Sequence, residues 1–223
     1  MGMLKKKTPV QRQLGMTKQE QRELSERRII ASTLSLIAER GVSGATLAEI
    51  GERAGYSRGL PAHLFGNKDA LLAECMRRLM VDYWVDNFPE VDELGPYGAL
   101  IAAVEKWIND LTENPQLPRA HLLLFQEAVS TVAKTNYPQF VPIAQKFVSG
   151  SEQRFYSYIV AGQEVGELRK EVDARFEAIL IHTTLRGVSQ RWLIQPSSID
   201  IVQFKDMFIE RLNSLLCEKA AQG

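Results

Sequence analysis

Arg58 and His63 lie in the stretch SRGLPAHLFGNKDAL, residues 57–71, with Ser57, Gly59, Leu60 and Pro61 around them and Lys68 just beyond. A guanidinium is a planar fork of N–H donors that matches a carboxylate, a phosphate or the edge of a guanine. An imidazole adds a further donor, and an ammonium adds a point charge for an anion. These are groups for recognising a partner rather than for reacting with one. Elsewhere the ingredients of catalysis are scattered. His121 and His182 stand apart from each other and from His63, and Cys75 and Cys217 sit in no metal-type spacing. No Ser/His/Asp, Cys/His or phosphate-loop arrangement is visible. The expectation is therefore a binding protein, not an enzyme, with reduced cysteines and neither metal nor cofactor.

Gly59 and Pro61 are poor residues for a helix interior, so the elements that carry them need explaining. The chain has 223 residues, 45% hydrophobic and 24% charged, and a net charge of zero. That neutrality hides an asymmetry: residues 1–68 hold 12 Lys/Arg against 6 Asp/Glu, and residues 69–223 hold 15 against 21. A basic front suits a polyanion, although a solvated basic surface has the same composition. No run approaches 18 apolar residues and no secretory signal follows the initial MGMLKKKTPVQRQ, so no membrane association and a cytoplasmic location are expected.

Strand signals are absent and helical periodicity is general, so the expected fold is all-α. Residues 1–16 read as a disordered basic arm, in which Lys5 to Lys7 can follow a DNA backbone or remain a plain tail. Residues 17–68 read as one domain. A helix begins at the capping box Thr17-Lys18-Gln19-Glu20 and runs to about Arg40, with Ile29, Ile30, Leu34, Ile37 and Ala38 as its stripe and Gly41 as its end. Thr46 caps Leu47 to about Arg53, Ala54-Gly55-Tyr56 forms a tight turn, and a second short helix ends near Phe65. That helix starts either at Ser57 or, with Gly59 as cap and Pro61 in the first turn, two residues later. Asn67 caps a longer helix running towards Val85. Two short helices joined by a glycine turn after a support helix have helix-turn-helix spacing, which a plain three-helix bundle shares.

The segment RRIIASTLSLIAERGVSGATLAEIGERAGYSRGLPAHLFGNKDALLAECM resembles the N-terminal domain of the tetracycline-repressor (TetR) family over about fifty residues. The matching positions are Gly41, Thr46, Ile50-Gly51, Ala54-Gly55, Ser57-Arg58-Gly59, Phe65, Lys68-Asp69 and Leu71. Two places depart from the pattern: Ala62 stands where a phosphate-contacting Tyr is common, and Gly51 where Ala is usual. The resemblance implies a helix-turn-helix that docks on double-stranded DNA. The helix opening at residues 57–59 would then enter the major groove, Arg58 reading a guanine edge or gripping a phosphate, with the former worth about 1–3 kcal/mol of discrimination. Gly59 would allow close approach, Leu60 and Pro61 would meet a thymine methyl, and His63 would donate to a base or phosphate. Thr46, Ser57 and Lys68 would hold phosphates.

Residues 69–223 read as a second helical domain. Its breakers are GPYG before a Tyr97–Leu111 helix, ENPQLP before Arg119–Ala133, and TNYP before Pro138–Val165, which Gly166 closes. In Asp173–Ile194, Phe176, Leu180, Thr183, Gly187 and Ile194 share one face and Ile181, Leu185, Val188 and Trp192 another. A helix apolar on two faces is buried twice, in one large core or against a second chain. LRGVSQRWLIQPSSID resembles the family's late helix, which with its predecessor forms a four-helix bundle across a homodimer. By that resemblance Phe155, Ile159, Gly162, Phe176, Leu180, Thr183, Gly187 and Trp192 are interface residues. The family also holds a small-molecule effector in this domain, for which Trp84, Trp107, His121, Phe125, Tyr156, Tyr158 and Arg186 are candidate lining residues, against an ordinary aromatic core. The resulting expectation is a homodimeric repressor of a palindromic operator, released by a small molecule. The alternative is an architectural or activating DNA-binding protein without such control.

Overall fold

The computed structural model describes residues 16–81, 89 and 91–217, without the side chains of 131–133. Among them every regular element is helical: α1 (Lys18–Gly44), α2 (Leu47–Arg53), α3 (Leu60–Phe65), α4 (Lys68–Met80), α5 (Val91–Glu113), α6 (Gln116–Val129), α7 (Thr131–Asn136), α8 (Phe140–Val165), α9 (Ala174–Ile194) and α10 (Ile201–Leu216). The all-α expectation holds. Lys5 to Lys7, Trp84 and the expected run of α4 towards Val85 lie outside the described residues.

The ends of the helices follow local chemistry. At α1 the Glu20 N–H donates to Thr17 Oγ1 (3.2 Å) and the Thr17 N–H to Glu20 Oε2 (2.6 Å), the reciprocal box that closes two orphan donors. Gly41, at φ 74°, breaks the helix where expected, after which one irregular turn reaches Gly44. Asn67 caps α4 and Asp173 caps α9 through their side chains, and Gly166 ends α8 in the left-handed conformation. In α5 the regular helix begins only after Gly95 (φ 70°), and the Tyr97 N–H finds the Glu167 carboxylate at 3.1 Å. α10 is an element that the sequence analysis did not single out.

α8 is the central helix, packed by α4, α5, α6 and α9, while α2 and α3 rest on α1 and α4. α1 is shared between the two regions, because its longest packing is against α6. The buried apolar residues consequently form one continuous core from Ile29 to Leu216. Two polar fasteners close the joint at the start of α4. Lys68 Nζ donates to the Val42 carbonyl at the end of α1. The buried Asp69 carboxylate accepts the N–H groups of Gln139 (3.0 Å) and Phe140 (2.9 Å), capping α8 from another helix.

Candidate nucleic-acid interface and interior cavity

Thr46 opens α2 as the cap of a second box, with Glu49 accepting its O–H (2.8 Å) and donating its N–H back (3.3 Å). Arg53 then ties α2 to α1 through the Glu39 carboxylate (Nη2 to Oε2 2.8 Å) and Ser35 (3.0 Å). That pairing holds the Glu39 pKa below its ordinary value. Nothing local in the sequence announced this tie, since its partners are a helix apart. The corner is made by Gly55 at φ 80°, with the Tyr56 N–H on the Gly51 carbonyl at 2.8 Å.

α3 begins at Leu60, with Gly59 as the cap residue and Pro61 in the first turn. The later of the two expected starts is the observed one. Ser57 accepts the Leu60 N–H on its carbonyl (3.1 Å) but does not cap the helix with its side chain. Pro61, expected at a thymine methyl, is instead buried beneath the helix. It fills the crossing left by Gly51, where a Cβ would stand 3.1 Å from Pro61 Cδ and 2.5 Å from the Ser57 carbonyl oxygen. Leu60 is half-buried on the core. Left exposed are Ser57, Arg58, Gly59, Ala62 and His63. Gly59 has an ordinary φ of −86° and open space at its absent Cβ, so the fold itself does not require glycine there.

Arg58 Nε meets Glu52 Oε1 at 2.7 Å with 74% of its side chain exposed. Such a pair contributes little net stability, so the guanidinium is cheaply redirected to another acceptor. Lys68 differs. It is half-buried, burial lowers its pKa, and its ammonium points inward to Val42, which places it in the joint rather than on the exposed rim. A phosphate contact from Lys68 would require its ammonium to leave the Val42 carbonyl.

The expected interface residues divide. Phe155 and Ile159 are fully buried inside the protomer, and a Cβ on the buried Gly162 would stand 2.7 Å from Leu168. Those three belong to the protomer's own core, because α8 is surrounded by its neighbours. Trp192 is half-buried against the same core. Phe176 (56% exposed), Leu180 (42%) and Ile194 (73%) lie open on α9, together with Thr183 and Gly187. α10 adds Val202 and Met207, both well exposed and both missed from the sequence.

Four expected lining residues converge on one cavity between α5, α6 and α9: Trp107, His121, Phe125 and Arg186, with Pro118, Leu122 and Ser189 completing the wall. It measures about 30 Å³, room for a water or two. The Trp107 N–H donates to Ser189 Oγ (3.0 Å), which donates to the Leu185 carbonyl (2.6 Å). His121 lies between Phe125 (4.7 Å between centroids) and Phe147 (4.6 Å), and the Arg186 guanidinium covers the Phe125 ring at 4.2 Å. Burial pushes His121 down to about 3, assisted by the positive field of Arg186, and pushes His182 down to about 4. Both imidazoles are neutral at pH 7. Tyr158 does not line this cavity; its hydroxyl donates to the Pro89 carbonyl at 2.8 Å. Tyr156 also lies off the cavity wall.

Among the described residues no cluster of His, Cys, Asp and Glu is arranged to hold a metal, and no helix is long and apolar enough to cross a membrane. Residues 29–75 match the family model described as bacterial regulatory proteins, tetR family. The HTH-type transcriptional regulator BetI of Burkholderia thailandensis is 44% identical over 69 residues, 31% of this chain and 35% of that protein. The chain thus spans about a third of the length of the curated relatives it matches. Among solved structures, SmeT, the repressor of the Stenotrophomonas maltophilia multidrug efflux pump SmeDEF, superposes in its triclosan complex with a TM-score of 0.73 at 20% identity, over 88% of this chain and 93% of that one. NalD, the secondary repressor of the Pseudomonas aeruginosa pump MexAB-OprM, gives a TM-score of 0.66 at 20% identity, over 88% and 98%. At such identity these two establish the fold alone.

Proposed function

We propose that this chain, whose residues 29–75 match the tetR family model, is a ligand-responsive transcriptional repressor acting as a homodimer on a palindromic operator. The observation that carries this reading is the exposed rim of α3. Arg58, Gly59, Ala62 and His63 face outward while Pro61 anchors the helix from below in the space left by Gly51. A helix so seated offers a low, side-chain-poor first turn to the major groove, with Arg58 able to leave Glu52 for a guanine or a phosphate. Thr46 and Ser57 supply further hydroxyls at the helix ends.

The dimer is formed by the apolar strip of α9 and α10, Phe176, Leu180, Ile194, Val202 and Met207, around the small Gly187. Pairing two heads one DNA turn apart, about 34 Å, multiplies half-site affinities that are weak alone. The interior cavity is the effector site. A ligand larger than its present volume must part α6 from α9, and α6 is the helix on which α1 of the head rests. Release from DNA then follows to the extent that the ligand binds the parted state better.

Selection of bound duplexes from random DNA tests the reading, run with the native chain and with Gly187→Trp. The Cβ position of Gly187 faces open space in the protomer, so the variant folds but cannot pair. The native chain should enrich an inverted repeat, and the variant, monomeric in sedimentation, should lose it. No enriched palindrome from the native chain, or a fully dimeric variant, overturns the corresponding part of the proposal.

A further inference from the structure

Resting on the reading of the interior cavity as the effector site, we infer that its ligand is an organic carboxylate on a compact aromatic or apolar body, with Arg186 holding the charge. A guanidinium carries five N–H donors, and burying one is costly unless acceptors meet it. Arg186 is half-buried in the cavity wall; no acceptor among the described residues takes a hydrogen bond from it, and its nitrogens are left to water. Its close neighbour is the face of Phe125 at 4.2 Å, a contact that offers no lone pair.

The acidic group whose field reaches Arg186 is Glu152. That carboxylate is turned to other partners, Arg175 at 3.9 Å and the Nδ1 of His182 at 3.5 Å. The remaining wall is Trp107, Pro118, Leu122, Phe125, neutral His121 and Ser189, with no acidic side chain. A cationic ligand would therefore meet an uncompensated positive charge. A neutral one would displace the water that solvates the guanidinium without offering its fork a charged acceptor. A carboxylate alone gives the fork its two parallel acceptors while its body lies along the Trp107 and Phe125 rings.

The same wall says how the body is accommodated. A second void of about 10 Å³, bounded by Leu79, Leu117 and Phe147, shares Pro118 and His121 with the first. Turning the His121 ring from between Phe125 and Phe147 joins the two. Swinging Arg186 off Phe125 opens the ring face to the ligand.

The experiment is calorimetric titration of the full chain with benzoate, phenylacetate and octanoate, each beside its primary amide, and with phenyltrimethylammonium as the cation. At least one acid should bind about tenfold or more tighter than its amide, the scale of a charged hydrogen bond, and the cation should not bind. Arg186→Met should erase the acid preference, and Arg186→Lys, which keeps the charge but not the fork, should retain a reduced one. Thermal melts of both variants check that they fold. Binding by no acid, equal binding of acid and amide, or an unchanged preference in both variants overturns the inference. Release of a selected DNA duplex is measured separately. An acid that binds through Arg186 yet leaves DNA affinity unchanged keeps the site chemistry and overturns its regulatory reading.

Discussion

The head and the cavity handle arginine in opposite ways. Arg58 stands 74% exposed on a carboxylate it can leave, and Arg53 is matched to Glu39 and Ser35. Arg186 is half-buried on an aromatic face with no carboxylate at ion-pair distance. Surface arginines exchange one acceptor for another at little cost because water solvates the intermediate states. A half-buried guanidinium depends on the water that still reaches it, so a ligand that displaces that water must supply an acceptor. One apolar core runs through both regions; the head adds the close crossing at Gly51, and the back region is packed around two neutral histidines.

Three perturbations break or sharpen this contrast. The largest effect is expected at the joint. Asp69→Ala leaves the N–H groups of Gln139 and Phe140 buried without their acceptor, and should lower unfolding free energy by about 3 kcal/mol in denaturant melts. Asp69→Asn, retaining one acceptor oxygen, should lose less; equal loss in both would show that packing rather than capping is at stake.

Acid should act next, and on the back region. His121 and His182 have folded-state values of about 3 and about 4, below the unfolded value of about 6.5. Between those values the unfolded chain holds more protons, so stability is complete above pH 6.5 and falls as pH drops through this window. Each imidazole contributes up to about 1.4 kcal/mol per pH unit. His121→Phe should flatten the slope between pH 6.5 and 5; an unchanged slope would assign the acid loss elsewhere.

The smallest stability effects distinguish two glycines of the head. Gly51→Ala drives a Cβ to 2.5 Å from the Ser57 carbonyl oxygen and should cost about 1 kcal/mol or more by overpacking. Gly59→Ala meets open space and should change stability by less than about 1 kcal/mol, while weakening DNA binding in a filter or anisotropy assay. Undiminished DNA affinity would remove Gly59 from the interface.

Much of the fold was readable where its signals are local. Thr17, Thr46, Asn67 and Asp173 cap helices through partners two or three residues away, and Gly41, Gly55 and Gly166 mark their own backbone reversals. Four of the seven candidate lining residues, Trp107, His121, Phe125 and Arg186, come together on one cavity wall. What periodicity could not show is which neighbour covers which face. Phe155, Ile159 and Gly162 have the spacing of an interface and lie in the protomer core. Val202 and Met207 look like core residues and lie open. Pro61 and Lys68 turned inward for the same reason.

The sequence by itself determined the helical class, several helix caps, the corner between α2 and α3 and the basic character of the front, because hydrogen bonds within one turn and the conformational limits of glycine and proline act over a few residues. Only the tertiary structure decided that Pro61 is an anchor, that Lys68 and Asp69 bind the head to α1 and α8, and that Arg186 is left on the Phe125 ring. Those outcomes depend on how long helices share their faces, a choice made by the packing of the whole chain.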